Sequence, residues 1–156
     1  MEVILLKSPT GALVPADPEQ AQALSRFKAG DLVRGEFKLM QNGQFHRKMM
    51  ALLNLCYEHF RDRVGAGVMH RGHLVKPCFD TWRKNFTIMA GHFEVVFNAR
   101  GMPVPKAKSL SFAKMPPDER EQVYSDFIDA ALKHVYDSNM TEAQLRNTID
   151  QIMSYT

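Results

Sequence analysis

The chain has 156 residues, 45% hydrophobic and 24% charged, which is ordinary for one globular domain with a core of its own. Its two cysteines exclude a disulfide framework and fit a reducing compartment. The apolar run Val3 to Leu6 is too short for a secretory core, and no stretch approaches the roughly 18 apolar residues of a membrane span, so the expected location is cytoplasmic. The net charge of +3 is unevenly spread: residues 1–117 hold 17 Lys and Arg against 9 Asp and Glu, and residues 118–156 hold 3 against 8. A single domain, 1–156, is expected, with a basic body over 1–117 that suits an anionic partner and acidic helices over 118–156.

In chain order, Val3 to Leu6 reads as a strand, ended by a turn at Ser8-Pro9-Thr10-Gly11. Asp17-Pro18-Glu19-Gln20 starts a helix: Asp17 caps, Pro18 suits the first helical position and Gln20 closes a capping box. That helix carries Ala21, Leu24 and Phe27, with Gly30 just past its end. Asp31 to Lys38 alternates charged and apolar residues and predicts a second strand. After a turn at Gln41-Asn42-Gly43, a helix runs from about Gln44 to Phe60. Phe45, Met49, Leu52, Cys56 and Phe60 form its buried stripe.

Residues 61–76, with three glycines, four Lys or Arg and two His, read as a loop. Pro77 opens a helix over roughly 78–91, in which Phe79, Trp82, Phe86, Met89 and Phe93 make an amphipathic seam. Glu94 to Asn98 is a short strand, and the basic, proline-containing segment from Arg100 to Ser111 supplies a hairpin arm. A helix starts at Pro116-Pro117-Asp118-Glu119 and runs to about Tyr136. Thr141 to Gln144 is a capping box for a last helix with Leu145, Ile149 and Ile152 on one side. The order β-α-β-α-α-β-β-α-α predicts an α+β fold with a small mixed sheet and about five helices.

Four groups of residues bear on function. Cys56, His59, His70 and His73 have a spacing that a tetrahedral zinc would accept, although Cys56 also sits in the buried stripe of its helix, where a free thiol is a small core residue. No nucleophile elbow, phosphate loop or acidic cluster at metal spacing is present, so neither an enzyme nor a cofactor is expected. His46-Arg47-Lys48 stands at a helix start, where free N–H groups favour anions. Arg83-Lys84 adjoins Trp82. Arg100, Lys106 and Lys108 lie on the predicted hairpin, and Arg71 and Lys76 on the loop. Cations from separate elements suit a phosphate backbone. Trp82 and Phe86 fit the buried seam better than a base-stacking platform.

Two resemblances add to this. Met1 to Pro9, Gly11 to Glu19, Gly35 to Lys38 and Phe45 to Leu53 resemble a family of uncharacterised phage proteins. More distantly, Phe45-His-Arg-Lys-Met-Met-Ala51, Thr81-Trp-Arg-Lys-Asn-Phe-Thr87 and Ser109-Leu-Ser111 resemble segments of the Orf/NinB recombination proteins of lambdoid phages. That family has Gln where Phe45 stands and Trp where Met50 stands. The likeness spans residues 1–136. It implies a homodimeric α+β protein that binds single-stranded DNA, meets the host single-strand-binding protein or a recombination enzyme, and works in an infected bacterial cell. The leading expectation is therefore a non-enzymatic recombination accessory protein. The alternatives are a module that binds or inhibits a host repair or defence enzyme, and a small His-metal nuclease using His70, His73 or His46.

Overall fold

A computed structural model describes residues 1–38, 43–112 and 115–155, and the fold is α+β. The strands form three separate two-stranded antiparallel ladders among the described residues, in place of the one mixed sheet expected. The chain makes two compact units, Met1–Leu39 and Met40–Thr156.

In the first unit, β1 (Leu5–Lys7) pairs with β2 (Leu13–Pro15), a partner the alternation rule did not reveal. The turn between them is held by Ser8, whose Oγ accepts from the Ala12 N–H at 3.1 Å. The helix α1 (Pro18–Leu24) begins as expected, with the Gln20 N–H donating to Asp17 Oδ1 at 3.0 Å. The Gln20 side chain takes a different partner from the one predicted. Its Oε1 accepts from the Ile4 N–H at 2.9 Å, which ties α1 to the start of the hairpin. Asp31 to Lys38 is not a strand: it has no regular structure and every residue in it is exposed. Alternation marks a strand only where a neighbouring edge supplies hydrogen bonds, and no described segment pairs with this one.

The second unit holds the core. The long helix α2 (Gly43–Val64) continues a full turn beyond the predicted end at Phe60, and the turn expected at Gln41–Asn42 lies outside the described residues. It buries His46, Met49, Met50, Leu52, Leu53 and Cys56, a wider stripe than the one seam read from the sequence. The region read as a loop contains a small hairpin, β3 (Met69–His70) and β4 (His73–Leu74). Its turn residues Arg71 and Gly72 both have positive φ, 48° and 80°, which is the geometry of a two-residue turn matched to strand twist.

Pro77 and Cys78 lead into α3 (Phe79–Met89). A Schellman motif ends this helix: the Gly91 N–H donates to Ile88 O at 2.9 Å, and the His92 N–H to Thr87 O at 3.1 Å, with Gly91 at φ 89°. That reversal sends the chain into β5 (Phe93–Phe97), which pairs with β6 (Pro103–Ala107). Two further helices complete the unit. The helix α4 (Pro117–Ala130) runs into a π turn over Ala131–Val135, and α5 (Glu142–Ser154) starts with the capping box expected at Thr141 and Gln144. Phe86, Phe112 and Phe127 meet edge to face at the centre, with Phe86–Phe127 and Phe112–Phe127 centroids 5.6 and 6.1 Å apart.

Candidate nucleic-acid interface

The predicted cations fall into three situations. On α2, Lys48 is engaged inside the helical unit. Its Nζ lies 3.8 Å from Asp150 Oδ1 and 4.5 Å from the centre of the Tyr124 ring, a cation–π contact. Arg47 beside it is half-buried. On α3, Arg83 and Lys84 share one counter-ion. Arg83 Nη2 reaches Asp80 Oδ1 at 3.1 Å and Lys84 Nζ reaches Asp80 Oδ2 at 2.7 Å. The Lys84 ammonium, with Arg83, holds the Asp80 carboxyl below its ordinary range. Lys48, Arg83 and Lys84 therefore offer a phosphate less than their charges suggest.

The remaining cations sit on hairpins. Arg71 stands at the tip of β3–β4. Lys76 follows that hairpin and lines a cavity of about 560 Å³ between α2, α3 and the π turn. The cavity wall is largely apolar, with Trp82, Phe86 and Val135; Arg63 and His134 also line it, and no carboxylate does among the described residues. The π turn aims Val135 and His134 into it, while Arg63 is fixed at its rim by Asp137 Oδ2 at 3.2 Å.

Arg100, Lys106 and Lys108 are all carried by β5–β6, Arg100 at its tip and Lys106 and Lys108 towards its base. A three-residue turn closes this ladder: the Gly101 N–H donates to Asn98 O at 2.9 Å with Gly101 at φ 74°, and Asn98 Oδ1 accepts from the Arg100 and Met102 N–H groups at 2.9 and 3.0 Å. The turn places Arg100 exposed at the tip. Lys106 pairs with Glu94 directly opposite at 3.2 Å, and Lys108 is exposed just past the strand. Arg47, Arg71, Lys76, Arg100 and Lys108 make no ion pair among the described residues.

The sequence reading missed the aromatic half of this hairpin. It assigned Phe93 to the α3 seam and began the strand at Glu94. In fact β5 starts at Phe93, and Phe93, Val95 and Phe97 stand on one face with 41%, 66% and 79% of their surface exposed. The signal was available: Phe-x-Val-x-Phe has period two, and Pro103 and Pro105 opposite mark an edge hairpin. Trp82 and Phe86 do lie in packed surroundings, stacked at 4.9 Å, as expected.

The zinc quartet does not assemble. Cys56 is fully buried in the core, with its thiol pushed up to about 12 by burial. His59 packs on the Tyr136 ring at 4.7 Å, while His70 and His73 face each other across the exposed β3–β4 hairpin. No group of three or more His, Cys, Asp or Glu side chains among the described residues is placed to hold a metal ion. No helix is long and apolar enough to cross a membrane, again among the described residues.

No curated protein matches the chain, and no solved structure does. A family model described as a protein of unknown function (DUF1367) matches residues 1–78 and 68–155, and the chain belongs to that family.

Proposed function

We propose that this DUF1367 protein is a non-enzymatic accessory factor of phage DNA recombination that binds single-stranded DNA through its β5–β6 hairpin. The observation that supports the reading is the exposed pair Phe93 and Phe97 on one face of the hairpin, with Arg100 at its tip; Lys106, opposite Glu94, and Lys108, opposite His92, project from the other face. Single-strand binding needs aromatic faces for unstacked bases and cations for the backbone, and this hairpin offers both. Along a strand the two rings are about 13 Å apart, a span of roughly two extended nucleotides. Phosphates meet Arg100 at the tip and Lys108 beyond the base of β6 before Lys106, which already has Glu94 and projects from the face opposite the rings. The cytoplasm of an infected bacterium and a partner such as the host single-strand-binding protein or a recombination enzyme belong to the same reading, through the resemblance to the Orf/NinB proteins.

The test is fluorescence anisotropy with labelled single-stranded and duplex oligonucleotides across a salt titration. Wild-type protein favours the single strand, with steep salt dependence. Phe97→Ala weakens binding about tenfold, from the ~1–3 kcal/mol that a stacked base contributes. The double variant Arg100→Glu/Lys108→Glu weakens it further and flattens the salt slope by ~0.7 for each phosphate no longer neutralised. Absence of binding at low salt, or binding indifferent to both variants, removes the reading.

A further inference from the structure

The two edges of the β5–β6 ladder differ. The bonds from the Asn98 N–H to Met102 O (2.9 Å) and from the Lys108 N–H to His92 O (3.1 Å) fix the alternation. Glu94 with Lys106 and Val96 with Val104 therefore exchange ladder bonds, and Phe93, Val95 and Phe97 turn their N–H and C=O groups away from β6. On β6 the outward-facing positions include Pro103 and Pro105, which have no N–H to offer, so that edge is closed. The edge of β5 carries no such block, and no described segment pairs with it.

Phe93-Glu94-Val95-Val96-Phe97 is complementary to itself when reversed about Val95. Phe93 then opposes Phe97, Glu94 opposes Val96, and Val95 opposes Val95. The outward-facing groups of the three odd-numbered residues meet in hydrogen-bonded pairs in this register. Aromatic side chains become direct cross-strand neighbours, an arrangement that stabilises antiparallel pairs. Sliding by two residues in one direction sets Glu94 against Glu94. Sliding in the other takes Phe93 out of the pairing. The sequence thus favours one register and disfavours its neighbours.

We propose that the free edge of β5 is a self-association surface. It pairs antiparallel with β5 of a second copy about a twofold axis at Val95, giving a continuous sheet β6-β5-β5-β6. The pairing extends a ladder of only two strands into one of four and follows the closed isologous geometry of twofold dimers. Short paired strands bury less than the roughly 1,600 Å² of a standard interface, so association is concentration-dependent. Phe93 and Phe97 of both copies line one face, which doubles the platform of the DNA reading. The pairing itself needs no DNA.

Sedimentation velocity on the full chain, without DNA and over a hundredfold concentration range, tests this. Val95→Pro removes only an outward-facing N–H and no ladder bond to β6. Val95→Lys leaves the backbone intact and sets two ammonium groups against each other at the axis. The expected result is a monomer–dimer equilibrium in the wild type and monomers for both variants at the same concentrations, with unchanged far-UV circular dichroism. A wild type that stays monomeric throughout overturns the proposal, as does a dimer that survives both variants. If Val95→Pro disturbs folding, Val95→Lys alone decides. Failure here leaves single-strand binding by the isolated hairpin standing, and failure of DNA binding leaves the dimer standing.

Discussion

The two cysteines show how far one residue type can diverge within a small protein. Cys56 is wholly enclosed by the core. Burial raises its thiol to about 12, and the hydrogen bond with Tyr136 only partly opposes that. Cys78 is the exposed N-cap of α3, and its thiol is lowered by hydrogen bonds from the Thr81 side chain and backbone. The thiolate is the nucleophile, so access and ionisation both favour Cys78. With iodoacetamide at neutral pH, peptide mass spectrometry should find Cys78 alkylated, and Cys56 only after denaturant is added. Equal labelling of both in the native protein would mean that Cys56 is far less enclosed than its packing indicates.

The join between α3 and β5 sets where the aromatic face of the hairpin begins, and it hangs on Gly91. At φ 89°, any side chain is strained there, while a Cβ at that position would meet nothing within 4 Å. Gly91→Ala should therefore cost backbone strain alone, about 1–2 kcal/mol in a urea titration. No loss of stability would mean that the Schellman turn is not what ends the helix. Legibility at this scale followed the physics of each element. The helix seams through Met49, Leu52 and Cys56 and through Phe79, Trp82 and Phe86 were legible because a period of 3.6 needs no partner to be recognised. The caps at Asp17 and Thr141 were legible because capping is local. The strands were legible only in part: β1, β5 and β6 were read to within two residues or as a hairpin arm, but Leu13–Pro15 pairs although it barely alternates, and Asp31–Lys38 alternates yet pairs with nothing described. The attenuation of Arg83 and Lys84 was readable in principle, since Asp80 precedes them by three and four residues, the spacing at which helical side chains meet. The aromatic face of β5 was hidden by the helical seam, because Phe93 continues its spacing after the helix has already ended.

For the whole molecule, the charge asymmetry and the core together govern the response to pH. Part of the charge of the acidic C-terminal helices meets cations at the surface of the helical unit. Asp150 takes Lys48, and the Tyr124 ring lies between Lys48 and Arg146 at 4.5 and 4.9 Å. Three weakly acidic groups are buried here in neutral form. Burial raises Cys56 and Tyr124 to about 12 each, and raises Tyr136 as well. In the unfolded chain, thiols ionise near ~8.5 and phenols near ~10. The stability these groups contribute is complete below those unfolded values. It declines as pH rises through the folded ones, because the unfolded state releases protons that the fold retains. The acid limb has the opposite sign. Asp80, held low by Lys84 and Arg83, stabilises the fold above the ordinary carboxylate range, and that contribution is lost as pH falls through its lowered value. Urea titrations at pH 7, 9, 10 and 11 should therefore show stability constant to about pH 8.5 and falling beyond it. Tyr124→Phe should leave stability at pH 7 nearly unchanged, because the Tyr124 hydroxyl has no hydrogen-bond partner among the described residues, and should make the alkaline fall shallower. A flat profile to pH 11, or an equally steep fall in Tyr124→Phe, would place the alkaline sensitivity outside the helical core.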